Sequence, residues 1–235
     1  MASRPIFFPS TKHDLLVETR EINFKWNPGL AASQKKENIK ALHSSATEQL
    51  AIDNILEIST KSSDKVGVEL SAFNLIYYAD SGNKYTLECL FQSSKEFEDG
   101  GPFRDLLNKS PKEAKQDIRL KNSGRLNLFR SLNGNEWPIY PHTLYYDWLY
   151  LNVIKQNISY LERANEFSGF SDIEFNPKKS FSCQAYSVAL AVSLYRREIL
   201  EDVLASKEYY IEFITKHKIN NSAIDTYKRS DLFDS

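Results

Sequence analysis

The sequence predicts an α+β protein, mostly helical with short strands. Three observations carry that prediction: helical periodicity recurs along the chain, its runs of β-branched and aromatic residues are short, and turn signals separate the two. Residues 5–8 (PIFF) and 17–26 (VETREINFKW) are such runs, and the second alternates partly, as a strand does. Asn27-Pro28-Gly29 signals a turn. Ser33 then opens an amphipathic helix with Ile39, Leu42 and His43 at helical spacing. Residues 55–60 (ILEIST) read as a short strand. Residues 66–78 (VGVELSAFNLIYY) are again strand-like in composition, closed by the turn Asp80-Ser81-Gly82-Asn83.

Thr86 caps a predicted helix, LECLFQSSKEF, that ends before Gly100-Gly101-Pro102. Ser110-Pro111-Lys112-Glu113 is a capping box with proline at the first helical position. Residues 126–137 read as a hairpin with Asn133-Gly134 as a type I′ turn signal. Thr143 starts an aromatic helix that runs through Ile154. Gln184 to Leu204 is the longest helical pattern, with Ala185, Val188, Ala189, Val192 and Leu200 on its apolar side. Beyond Lys216 the chain turns polar. With no repeat, low-complexity stretch or dividing linker, a single domain is expected.

Composition narrows the function. The chain has 235 residues, 41% of them hydrophobic, enough for one good-sized core. Lys+Arg 30 against Asp+Glu 31 leaves a net charge of -1, so no global field holds nucleic acid. A nucleic-acid partner would have to meet a local patch, and a pocket for a modified nucleotide is expected rather than a long DNA groove. Cys89 and Cys183 are the only cysteines and are read as reduced. No Cys/His cluster has zinc-ligand spacing, so neither metal nor cofactor is expected. The N-terminus lacks a signal-peptide layout, and no stretch reaches the roughly 18 apolar residues of a membrane span. The expectation is a cytoplasmic, monomeric protein away from membranes.

Three features could carry chemistry. Glu88, Gln92 and Lys95 at i, i+4, i+7 project from one face of the predicted helix, flanked by Leu90, Phe91 and Phe97. Such a stripe is either a pocket wall or a solvated face, and periodicity does not choose between them. Trp137-Pro138 and Tyr145, Tyr146, Asp147, Trp148 and Tyr150 are dense enough to stack on a base, or to form core. Asp147 among those rings needs a partner or a role, because burying a lone carboxylate is costly. Glu174-Phe175-Asn176-Pro177-Lys178-Lys179-Ser180, then Ser182-Cys183-Gln184 at a helix start, could hold a pyrophosphate or be an ordinary capped loop. Gly100-Gly101-Pro102 follows a helix and lacks the phosphate-loop lysine.

Motif order adds a resemblance. Glu57-Ile58-Ser59, Leu70-Ser71-Ala72-Phe73-Asn74 and Thr86 to Lys95 resemble the opening strand, the Leu-Ser-Asn-Phe segment and the Glu–Gln–Lys helix of the NADAR (YbiA-like) family. Ala114-Lys115, Gly124-Arg125 and Trp137 fit its later points. The branch associated with DarT toxins is closer, through residues 4–10, 33–35, 70–75, 145–150 and 172–185. The resemblance spans roughly residues 4 to 205. It departs from the general family after Glu174, where an Asp and a Trp-Gly give way to Lys179 and Ser182-Cys183.

The resemblance implies a single NADAR-like domain over 61–210, an N-terminal strand/helix extension over 1–60 and a polar tail over 211–235. It implies an antitoxin glycohydrolase that strips ADP-ribose from guanine in DNA, functionally linked to a DarT-type toxin, with ADP-ribosylated DNA or ADP-ribose as ligand. Glu88, Lys95 and Asp147 would be catalytic. Asn74, Gln92, Trp137, Trp148, Lys178, Lys179 and Gln184 would bind ligand. Two alternatives are an N-glycosidase of a phosphoribosylamino-pyrimidine and a non-catalytic antitoxin that binds its toxin.

Overall fold

The computed structural model of the chain describes residues 1–29, 31–177, 180 and 182–217. Its elements begin with β1 (Ala2–Pro9), β2 (Val17–Phe24), α1 (Ala32–Leu50), β3 (Ile55–Glu57) and α2 (Lys65–Glu69). Next come β4 (Ile76–Tyr78), β5 (Lys84–Thr86), α3 (Leu87–Ser93), β6 (Lys95–Phe97), a 3-10 turn at Arg104–Asn108, α4 (Pro111–Gln116) and α5 (Arg119–Asn122). β7 (Leu126–Arg130), β8 (Glu136–Trp137), α6 (Leu144–Lys155), α7 (Ile158–Ala164), β9 (Gly169–Ser171), α8 (Gln184–Arg196), α9 (Leu200–Val203) and α10 (Lys207–Lys216) complete the set. The class is α+β with short strands, as the sequence predicts. Two compact units emerge, Ser71–Ile158 and a second made of the described residues of Met1–Leu70 and of those from Ser159 to His217.

The unit holding the N-terminus is built on a mixed sheet of order β2-β1-β9-β3. β1 runs antiparallel to β2 along its whole length and meets β9 only at Ile6 and Phe7, while β3 and β9 are parallel. Pro5 and Pro9 flank that two-sided stretch, which suits residues that cannot donate to a ladder. Ile6, Ile22 and Phe24 of the sheet pack against Ile39, Leu42 and Ala46 of α1. On α8, every residue from Ala185 to Leu194 is buried, and Tyr186 meets Phe7 edge-on at 5.6 Å between centroids.

Two expectations for this unit change. Residues 65–69 are helical rather than strand, because Asp64 caps the turn through the Val66 N–H at 2.7 Å, and Val66 and Leu70 fall four apart on its buried side. Residues 184–204 form two helices, so α1, with 19 residues, is longer. The break is local: Glu198 takes a left-handed φ of 59°, while the Arg197 guanidinium donates to the carbonyls of Ser10, Lys12 and Leu15.

The 71–158 unit holds the β4-β5 hairpin and a sheet of order β6-β7-β8. Helix α4 has the predicted box, with Ser110 Oγ accepting the Glu113 N–H and the Glu113 carboxylate accepting from the Ser110 N–H. The β7-β8 hairpin forms, but its turn is not type I′. Gly134 has a positive φ of 85° and Asn133 does not, and the Gly134 N–H returns to the Ser131 carbonyl. That is the type I turn followed by a left-handed residue of a longer loop. Helix α3 stops at Ser93, so Lys95 opens strand β6 instead of lying on the helix.

Candidate functional site

Three main-chain donors at the start of α3 are satisfied within its own unit. Thr86 Oγ1 accepts from the Cys89 N–H at 3.3 Å. The Leu87 N–H reaches the Leu75 carbonyl and the Glu88 N–H the Ala72 carbonyl, both at 2.9 Å. The loop before β4 therefore wraps the first turn of α3 and spends donors that an anion would otherwise use. It also seats Asn74, whose amide donates to Ser71 Oγ at 3.1 Å.

From that turn a chain of polar groups leads off. Gln92 Nε2 donates to Glu88 Oε1 at 2.8 Å, and Lys95 Nζ donates to Gln92 Oε1 at 2.7 Å. Glu88 is 5% exposed and Gln92 6%, so this stripe is not a solvated face. The contacts of the Glu88 carboxylate with Gln92 and Lys115 are made through Oε1. Lys95 joins the helix pair although it belongs to the strand. Two features hold it there: β6 pairs Lys95 with Phe129, and Gly101 backs onto it. A Cβ at Gly101 would lie 2.5 Å from the Lys95 carbonyl, and its φ of 89° favours glycine as well.

The Lys95 ammonium sits 4.8 Å from the centre of the Phe91 ring. Burial lowers its pKa to about 8, opposed by the Glu88 carboxylate and reinforced by the Lys115 ammonium. Lys115 Nζ is 3.9 Å from Glu88 Oε1 and 5.3 Å from the Phe73 ring centre. The arrangement is thus one carboxylate, one bridging amide and two cations.

The aromatic cluster is largely core. Tyr145, Tyr146, Tyr150 and Trp137 are buried, and Phe91, Phe129 and Tyr145 stack with centroids 5.1 to 6.5 Å apart. Trp137 is packed between Tyr145 and Trp148, so the half-exposed Trp148 is the member of that pair with surface to offer a base. Asp147 is buried in the first turns of α6, its N–H bonded to the Thr143 carbonyl.

The third feature divides. Lys178 and Lys179 lie outside the described residues. Gln184 starts α8, and its side chain hydrogen-bonds Asp172, which also accepts the N–H groups of Glu174 and Phe175. Asp172 belongs to a buried set that sequence reasoning missed. Ser171 Oγ donates to Glu57 Oε2 at 2.5 Å and lies 2.8 Å from His43 Nε2, while the Ile173 N–H donates to Glu57 Oε1 at 2.9 Å. Burial, then the nearby Asp172, pushes the Glu57 carboxyl well above the usual carboxylate range, and burial raises Asp172 as well. Burial holds His43 down to about 4, neutral near pH 7. The one sequence signal was a glutamate inside the otherwise apolar run Ile55-Leu56-Glu57-Ile58.

The site thus sets a buried carboxylate, linked through an amide to an ammonium group, on an α+β frame. The chain matches the family model for DarT1-associated NADAR antitoxins over residues 2–224, and it belongs to that family. Membership links it functionally to a DarT toxin. No curated protein matches it. Among the described residues, no helix is long and apolar enough to cross a membrane.

Proposed function

We propose that this antitoxin is a glycohydrolase that removes ADP-ribose from ADP-ribosylated guanine in DNA. The observation that carries this reading is the hydrogen-bonded chain Glu88–Gln92–Lys95, most of it withdrawn from solvent. Cleaving a ribose C1–N bond requires a base for the attacking water and a proton for the departing nitrogen. Glu88 takes the water proton through Oε2 as the oxygen adds at C1. The C1–N electron pair leaves with the guanine nitrogen, which receives its proton from the Lys95 ammonium. A pKa near 8 keeps that ammonium mostly protonated at neutral pH while making it a better acid than an ordinary lysine. Gln92 holds donor and acceptor in fixed orientation. Asp147 is the second carboxylate, bracing positive charge at C1, and Asn74 and Trp148 contact ribose and base.

The test uses purified protein and single-stranded DNA carrying ADP-ribosylated guanine, with released ADP-ribose as readout. Release that Glu88→Gln abolishes without unfolding supports the reading. Turnover of a phosphoribosylamino-pyrimidine instead, or tight toxin binding without release, overturns it. Borohydride trapping of a protein–sugar adduct at Lys95 would replace the proton-donor role by attack of the free amine on C1 of a ring-opened sugar.

A further inference from the structure

Two ammonium groups, on Lys95 and Lys115, lie beside the Glu88 carboxylate, and Lys95 feels Lys115 as a repulsive neighbour. Lys95 is committed to Gln92 and folded over Phe91. Lys115 differs. Its side chain is 58% exposed, and its Nζ stands 3.9 Å from Glu88 Oε1, beyond hydrogen-bond reach.

Its placement is nonetheless fixed by the fold. Helix α4 is anchored by the Ser110–Glu113 box and by Ala114, fully buried against Cys89 and Leu106. Lys115 follows Ala114 directly, and the Phe73 ring lies beneath its ammonium. The cation is therefore brought to the edge of a buried carboxylate with its head still open to solvent. An ammonium group held there with its head in solvent is a point charge that an anionic ligand can meet. The main-chain donors at the start of α3 cannot meet that anion, since Thr86, Leu75 and Ala72 already occupy them.

We infer that Lys115 is a ligand-binding residue of this site and takes a phosphate group of the substrate. The inference rests on the glycohydrolase reading and names the part of the ADP-ribosyl group that is held. Lysine meets phosphate as a compact point charge and needs no bidentate geometry, so contact survives movement of the sugar during cleavage.

Calorimetric titration of the full chain with ADP-ribose, with inorganic pyrophosphate and with adenosine tests it, on wild type, Lys115→Met and Lys115→Arg. Lys115→Met should weaken ADP-ribose and pyrophosphate about tenfold, as loss of one charge-assisted contact does, and leave adenosine unchanged. Lys115→Arg should restore most of the affinity. In turnover, Lys115→Met should raise KM about tenfold with kcat within about threefold of wild type, a split that general destabilisation would not give. Equal phosphate affinity in wild type and Lys115→Met overturns the inference even where ADP-ribose release stands. Absence of release by wild type overturns the glycohydrolase reading, while Lys115-dependent uptake of pyrophosphate by the same protein would still support the phosphate contact.

Discussion

The two buried polar sets of this protein solve opposite problems. In the 71–158 unit, the Glu88 carboxylate has cations for neighbours, and its chain of contacts runs out to a partly buried lysine. In the unit built on the mixed sheet, the Glu57 carboxyl has a second carboxylate, Asp172, as neighbour and is held by the hydroxyls of Ser171 and Ser59 and by a backbone N–H. Like charge and burial together favour a proton on the Glu57–Asp172 pair, whereas opposite charges favour a working carboxylate. The difference separates a carboxylate set among cations from one set against a second carboxylate. It also shows that a buried glutamate alone identifies neither; its neighbours do.

The largest effect should come from Glu88→Gln, which removes the base and should lower ADP-ribose release by roughly 10²–10⁴-fold with the melting transition unchanged. Full activity in that variant would erase the contrast. Next, release should fall about tenfold per pH unit above about pH 8, where Lys95 loses its proton. A rate that stays level to pH 10 would remove Lys95 from proton transfer. In the other set, Ser171→Ala strips Glu57 of one of its two hydroxyl partners, leaving Ser59, and should cost about 1–3 kcal/mol of stability, read by denaturant melts, with kcat/KM unchanged. A fall in kcat/KM at constant stability would move this set into the chemistry.

The pH dependence of stability sharpens the same contrast. Glu57 and Asp172 hold protons more tightly folded than unfolded, so the native state binds more protons over this range. Their contribution is fully present below the ordinary carboxyl range and is lost as pH rises through the raised titration of the pair. Chemical denaturation from pH 5 to 9 should show stability declining, and Glu57→Gln should flatten that decline. A rise in stability over that range would contradict the assignment. The smallest effect belongs to Ser110→Ala, about 1 kcal/mol from the lost cap of α4, visible as a lower melting temperature.

What the sequence made legible was local. The capping box at Ser110, the Thr86 cap, the Thr143 helix start and the glycine of the β7-β8 hairpin are each set by residues within a few positions of one another. The candidate relay was legible for a similar reason, since Glu88 and Gln92 are one helical turn apart. Lys95 was assigned the right neighbours on the wrong element: its spacing suits a helix, but pairing with β7 draws it into a strand. Residues 66–70 misled by composition, because Val66, Val68 and Leu70 suit either state until the Asp64 cap is weighed. The Glu57 set was illegible because its partner Ser171 lies 114 residues away and no local rule joins them.

That helix-to-strand junction bears on transplantation. A stapled peptide carrying Glu, Gln and Lys at the same intervals would present the lysine a further turn along a cylinder, with no neighbouring strand to hold it. The smallest portable piece of this machinery is thus a three-part scaffold of helix, strand and the glycine-backed bend behind it. A one-residue deletion between Ser93 and Lys95 should sever the relay while sparing every residue that composes it.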